Sequence, residues 1–310
     1  MLVVISGDAH PALGRAIADA LGTPLADVEL TRYPDAEVVG IRESVRAADV
    51  YILQPTPPPP EGHLFELLLL ADAARRAGAA RVTAVVPYLG YSRQDRRAFG
   101  ARTAIGARLV ADVLGTGRID RVVTVDLHQP AVEGFFSIPI EHLDAFPLLL
   151  DALRDLPRDS VIVAPDLGAA KLADRFARAL DLPFAVVHKT RLSGVEVEAT
   201  RVTGEVQGRR PAVVDDMITT GGTVRAALDA VAAAGATSEA TVAVTHAILA
   251  PGAASLLAGL SITRLVMTDS VPIDTAGLAA FQMVTLAPLL ADAIRRLHEG
   301  RSLEGLHAQR

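Results

Sequence analysis

Val213-Val214-Asp215-Asp216-Met217-Ile218-Thr219-Thr220-Gly221-Gly222-Thr223 is the stretch from which the rest of the chain is best read. An apolar run ends in two carboxylates, and a short loop of hydroxyls and glycines leads into an Ala-rich helical pattern. That is the strand-to-helix joint of an open α/β sheet, and such sheets bind ligands at the carboxyl ends of their strands. Glycines let backbone N–H groups converge on an anion, Thr hydroxyls add donors, and the helix N-terminus adds partial positive charge. The loop suits a single phosphate. The paired acids cannot bind that phosphate, but they can accept hydrogen bonds from vicinal sugar hydroxyls beside it. The same letters could also serve only as a strand, an N-cap and a tight turn.

Outward from this joint the same rhythm recurs. Short β-branched runs predict strands over 2–6, 50–54, 81–87, 121–126, 160–165, 184–188, 211–215, 240–247 and 262–268. Several are continuous Val/Ile runs, as in strands covered on both faces. Helical patterns fall between them at 11–21, 63–77, 103–114, 169–179, 223–234 and 288–299. The succession of strand, polar loop, helix and strand ending in His128 repeats in the succession ending in His246. The expectation is therefore α/β: two similar domains, 1–145 and 146–310, each a mostly parallel sheet flanked by helices. Five prolines within residues 55–60 are expected to stiffen a surface loop.

Composition narrows the function classes. The 310 residues are 50% hydrophobic and 21% charged, enough for two cores and unlike a disordered chain. With 30 basic and 36 acidic residues, the net charge of −6 gives no global field for nucleic acid or an anionic membrane. Cysteine is absent, which excludes thiolate chemistry and Cys-bound zinc. The greasiest run, residues 64–74, is interrupted by Glu66 and Asp72, too short and too charged to span a bilayer. A cytoplasmic protein is expected. Only two lysines, Lys171 and Lys189, stand against 28 arginines. A compact ammonium is not interchangeable with a planar guanidinium at a tight phosphate site, so both are worth following.

Four further segments carry chemistry. Arg93-Gln94-Asp95-Arg96-Arg97 follows a predicted strand and sets three guanidiniums in five residues, suited to forking onto a polyphosphate. His128 and Asp166 each follow a predicted strand. Pro165-Asp166-Leu167-Gly168-Ala169-Ala170-Lys171 runs from strand to helix. Lys189-Thr190-Arg191 opens residues 192–202, whose Ser193-Gly194 and mixed character predict a mobile loop.

These segments together resemble the ribose-phosphate diphosphokinase, or phosphoribosyl-diphosphate (PRPP) synthetase, family over essentially the whole chain. The Asp215–Thr223 string resembles its PRPP motif. Pro87-Tyr88-Leu89-Gly90-Tyr91-Ser92-Arg93-Gln94-Asp95-Arg96-Arg97, Val125-Asp126-Leu127-His128 with Gly134-Phe135-Phe136, and Tyr33-Pro34-Asp35-Ala36-Glu37 are similar to its other segments. The resemblance implies two phosphoribosyltransferase-like domains and diphosphoryl transfer from ATP to ribose 5-phosphate with Mg²⁺. It assigns Asp35, Ala36, Glu37, Arg93, Gln94, Asp95 and Arg96 to ATP. Arg191, Asp215, Asp216, Thr219, Thr220, Gly221, Gly222 and Thr223 fall to ribose 5-phosphate. Asp166, Leu167, Gly168 and Lys171 form a pyrophosphate loop, His128 and Asp166 serve the metal, and Lys189 with Arg191 is catalytic. Because the Asp35–Glu37 loop reaches a neighbouring subunit in relatives, a homo-oligomer of at least two chains is implied. Two departures stand out: Thr219 where many relatives carry Asp, and Ala169 with Lys171 where two adjacent glycines and an Arg are commoner. A phosphoribosyltransferase would use the same loop but needs no second arginine-rich domain, and a catalytically silent regulatory relative would not need Lys189, Arg191, His128 and Asp166 together.

Overall fold

The computed structural model describes residues 1–192, 197–278 and 280–307, with only the backbone at 189–192 and 197–200. Contacts divide the chain into two units, Met1–Ala145 with Ser270–Pro272 and Thr285–Arg310, and Phe146–Asp269 with Ile273–Val284.

The first unit runs β1 (Leu2–Ser6), α1 (Pro11–Leu21), β2 (Val28–Arg32), β3 (Glu37–Ile41), β4 (Asp49–Leu53), α2 (Pro60–Arg76), β5 (Arg81–Val86), α3 (Gly106–Thr116), β6 (Arg121–Val125) and β7 (Ile140–Leu143). Its five-stranded sheet has the order β1-β4-β5-β6-β7, every neighbouring pair parallel. Helices cover the faces, so the central strands are largely apolar, and all five residues of β4, Asp49 among them, are buried. Strands β2 and β3 form a separate antiparallel hairpin packed on α2.

The second unit runs α4 (Phe146–Ala152), β8 (Ser160–Ala164), α5 (Ala170–Leu180), β9 (Phe184–Leu192), β10 (Val197–Thr203), β11 (Arg210–Ile218), α6 (Gly222–Ala233), β12 (Ala240–Ala247), α7 (Ala253–Ala258), β13 (Ile262–Thr268) and β14 (Phe281–Val284). Its sheet has the order β10-β9-β8-β11-β12-β13-β14, parallel except where β10 pairs antiparallel with β9. The period of two shows in its cores. Val161, Val163, Val213, Val242 and Val244 pack with Val224, Ala227 and Val231 of α6 on one face. Ile162, Ala164, Ala212, Val214 and Ala243 pack with Phe146, Leu149, Ala173 and Phe176 of α4 and α5 on the other.

Three expectations change. The pattern of residues 192–202 predicts a loop, yet β9 continues to Leu192 and Val197–Thr203 pairs back onto it, with Thr200 opposite Lys189 and Glu198 opposite Arg191. Ser193 and Gly194 lie outside the described residues. The proline run is only half on the surface. Pro55 and Thr56 are buried, and Thr56 accepts from the Gly90 N–H at 2.6 Å and donates from N–H and Oγ1 to the Tyr88 carbonyl at 3.0 Å. Pro60 already belongs to α2, whose first turn tolerates proline because it needs no N–H partner there. Finally, the last helix, α8 (Ala287–His298), groups with the first unit and packs against α1. Arg295 Nη2 donates to the Ala20 carbonyl at 2.9 Å, and His298 Nδ1 lies 2.8 Å from Asp49 Oδ2.

Candidate active site

In a parallel sheet every strand ends at the same edge, so topology alone gathers loops that are far apart in sequence. In the second unit β9, β8 and β11 are neighbours, and at that edge they carry Lys189 and Arg191, then Asp166, then Asp215 onward. In the first unit the ends of β1, β5 and β6 carry Asp8, the Arg93 segment and His128.

Strand β11 is longer than its sequence suggested, and Asp215, Asp216, Met217 and Ile218 all belong to it. Thr219 and Thr220 then turn the chain, and Gly221 caps α6 at φ +80°, a left-handed conformation that glycine adopts without strain. A Cβ there would also lie 3.1 Å from Leu256 Cδ2. The turn is held by the Ala250 N–H donating to the Thr219 carbonyl at 2.8 Å. The result is the helix-start cradle expected for a phosphate.

Asp215 is half-buried, and its Oδ1 accepts from the Asp216 N–H at 2.9 Å. Burial first, and then the charges of Asp216 and Asp166, push its carboxyl up to about 8. The folded chain therefore keeps a proton that the unfolded chain releases near the ordinary value of 3.8. Stability should fall as pH rises from about 4 toward 8 and level off above that. In chelator, with no substrates, the thermal midpoint of the parent protein is expected to drop from pH 5 to pH 8, and Asp215→Asn should flatten that slope. Equal slopes would mean Asp215 is ionised throughout.

Asp166 sits after β8, and its Oδ1 accepts from the Gly168 and Ala169 N–H groups at 2.8 and 3.2 Å, fixing the turn into α5. Leu167, Gly168 and Lys171 are exposed beside it. The charges of Asp166 and Asp216 thus both bear on Asp215, and carboxylate oxygens are the donor chemistry that Mg²⁺ prefers.

In the first unit Arg93, Gln94, Arg96 and Arg97 are exposed and Asp95 is half-buried. Gln94 anchors the segment, donating its N–H to the Tyr91 carbonyl at 2.8 Å and accepting from the Ala107 N–H at 3.2 Å. Arg96 Nε lies 3.8 Å from Asp95 Oδ1, leaving the guanidinium face outward. His128 is half-buried just past β6. The residue before it, Leu127, donates its N–H to Nε2 of the buried His142 at 2.8 Å, and His142 Nδ1 lies 2.8 Å from Glu133 Oε1. Nε2 is the acceptor in this pair, so Nδ1 carries the hydrogen toward Glu133. Glu133 and His142 escape a reading of the sequence because nothing local marks a histidine that braces another strand's loop.

Asp35 and Ala36 lie in the exposed turn of the β2–β3 hairpin, closed by the Tyr33 N–H donating to the Ala36 carbonyl at 2.7 Å, with Glu37 opening β3. At the turn end of the hairpin Arg32 pairs with Asp8, with Glu37 at 3.0 Å and with the buried Glu66 at 3.3 Å. In the sequence Glu66 stands out only as an interruption of an apolar run. Its position four residues before buried Leu70 is the available sign that it faces inward.

Known proteins resemble this chain along its length. The N-terminal domain of ribose phosphate pyrophosphokinase matches residues 2–117, and the phosphoribosyl transferase domain matches residues 151–255. Ribose-phosphate pyrophosphokinase of Burkholderia pseudomallei is 38% identical over 99% of this chain and 98% of its own length. That of Caldanaerobacter subterraneus subsp. tengcongensis is 40% identical over 98% and 97%. The crystal structure of phosphoribosylpyrophosphate synthetase from Mycobacterium smegmatis, 35% identical, superposes with a TM-score of 0.89 over 96% of this chain and 99% of that one. The two parallel sheets are those of paired phosphoribosyltransferase-like domains, and the chain belongs to the ribose-phosphate pyrophosphokinase family of enzymes.

Proposed function

We propose that the enzyme transfers the β,γ-diphosphoryl group of ATP to the anomeric hydroxyl of ribose 5-phosphate, giving PRPP and AMP. The observation that supports this reading is the strand order β9, β8, β11, which brings the backbone of Lys189 and Arg191, the Asp166 turn and the Thr219–Thr223 loop to one edge of the sheet. In it, Thr219, Thr220, Gly221, Gly222 and Thr223 hold the 5-phosphate, while Asp215 and Asp216 accept from the ribose hydroxyls. Arg93, Gln94, Asp95 and Arg96 with Asp35, Ala36 and Glu37 hold ATP. The anomeric oxygen bonds to the β-phosphorus as the bridge to the α-phosphorus breaks, and the hydroxyl proton is released. Phosphoryl transfer needs alignment and cations on the non-bridging oxygens more than covalent help, which fits Lys189 and Arg191. Asp166 and His128 would hold Mg²⁺, which when bound would neutralise charge on the ATP phosphates; Asp166 Oδ1 accepts from the two N–H groups of its turn, so Oδ2 would be its less committed donor. Lys171 and Gly168 would face the diphosphoryl group.

Incubation with ATP, Mg²⁺ and ribose 5-phosphate should yield equal amounts of AMP and PRPP. Hydrolysis to ADP, or no turnover of ribose 5-phosphate, would overturn the assignment. No helix among the described residues is long and apolar enough to cross a membrane. The exposed Asp35 turn supports an assembly of at least two chains sharing the nucleotide site. Mixing inactive Glu37→Ala and Lys189→Ala subunits should then restore part of the activity, whereas no recovery after subunit exchange would make each chain self-sufficient.

A further inference from the structure

Asp8, His63 and Glu66 bring three potential ligand atoms within 4.8 Å of one another in the first unit. A divalent ion could bridge such a spacing, but the positive charge there is already supplied. Arg32 reaches both carboxylates, and His63 Nδ1 stands 3.9 Å from Asp8 Oδ1. What the cluster does follows from the elements it joins. Asp8 follows β1, Glu66 is on α2, Arg32 ends β2 and Glu37 begins β3.

The core side of this cluster is built tightly. Glu66 is 1% exposed, and its Oε1 accepts from the Asp8 N–H at 2.8 Å. Gln54 Oε1 accepts from the next N–H, Ala9, at 3.3 Å. Gly7 makes this approach possible, since a Cβ there would fall 2.2 Å from Gln54 Oε1 and 2.7 Å from Glu66 Oε1. The hairpin is a two-stranded sheet of its own, and isolated hairpins are marginal in water. Its turn needs an external anchor, and Arg32, immediately before Tyr33, provides one.

We propose that Arg32, Asp8 and Glu66 are positioning residues for the adenine nucleotide, clamping the β2–β3 hairpin to the β1 end and α2 so that the Tyr33–Glu37 turn is presented in one place. The proposal rests on the ATP reading above. Burial, followed by hydrogen bonding to Asp8, pushes Glu66 up to about 8. Burial alone would raise Asp8 too, but its hydrogen bonds with Glu66 and Arg32 hold it low. At neutral pH one proton thus sits between two carboxylates. The groups facing it are Asp8 after β1, Arg32 on β2, Glu37 on β3 and His63 on α2. Above about pH 8 a second buried negative charge should loosen the clamp.

The test is a pair of measurements on the intact enzyme: direct titration with ATP and steady-state kinetics. Arg32→Met is expected to weaken ATP binding and raise its KM at least about tenfold, the loss of one charge-assisted contact of about 1.4 kcal/mol or more. KM for ribose 5-phosphate should not change, and Arg32→Lys should recover part of the loss. The parent enzyme's KM for ATP should rise above about pH 8, and Glu66→Gln, which keeps an acceptor for the Asp8 N–H and cannot ionise, should flatten that rise. If Arg32→Met does not fold, Asp8→Asn provides the same comparison. Unchanged ATP affinity, equal losses for both substrates, or a Mn²⁺ titration showing a His63-dependent ion in the cluster would overturn the clamp. Failure of the parent enzyme to form PRPP would instead overturn the reaction, while the ATP titration would still judge the clamp.

Discussion

Lys189→Ala is expected to lower kcat by about 10²- to 10³-fold while the KM for ATP stays within about threefold of its original value. Removing one preorganised donor aimed at developing charge typically costs about 2.7–4 kcal/mol in the transition state, and little of that is felt by bound ATP. The fold gives this residue a defined base. Its backbone lies on β9, paired opposite Thr200 of β10, so the residue stands on a strand of a seven-stranded sheet rather than in an isolated loop. Single-turnover assays at saturating substrate separate chemistry from binding. A tenfold rise in KM for ATP with unchanged kcat would make Lys189 a ground-state contact.

The second large effect is expected at the sugar. Replacing both Asp215 and Asp216 with Asn should raise the KM for ribose 5-phosphate by about 10- to 10²-fold, since hydrogen bonds to a charged group such as Asp216 contribute about 1.5–3 kcal/mol. ATP affinity should change much less. The two single variants should differ. Asp215 carries a proton in the ligand-free enzyme, so Asn is close to an isostere there, whereas at Asp216 it removes a partner of different chemistry. Asp216→Asn is thus expected to be the more damaging. Equal losses for both substrates, measured by product formation across a matrix of concentrations, would assign the pair to the metal or to folding.

The elements that could be read from sequence are those buried on both sides. β1, β12 and β13 occur as expected, and α1 starts and stops at its expected residues because Pro11 opens it and Gly22, at φ +68°, ends it. What escaped lies at sheet edges. β2, β3, β7, β10 and β14 mix polar and apolar residues, and their strand character comes from a neighbour's backbone rather than from their own pattern. Reading β9 as ending at His188 fails for the same reason, since Lys189-Thr190-Arg191 is strand only because β10 folds back on it. Within the site, contiguous strings such as Asp215–Thr223 announce themselves. Arg32, Glu66, Glu133 and His142 do not, because each acts on a partner up to 58 residues away and only packing brings the two together.

The closing of the first unit by α8 has a consequence for synthesis. Leu13 and Ile17 of α1, and Leu290, Ile294 and Leu297 of α8, are all buried in a unit whose first and last segments are separated by the whole second unit. Domains ordinarily fold in order as they leave the ribosome. Here the second unit has its own sheet and cores by Val284, whereas the first must wait for the last residues before α1 is covered. The nascent chain therefore completes its middle before its beginning, and a fragment ending at residue 145 would carry an uncovered apolar helix, a surface inviting association with itself or with chaperones.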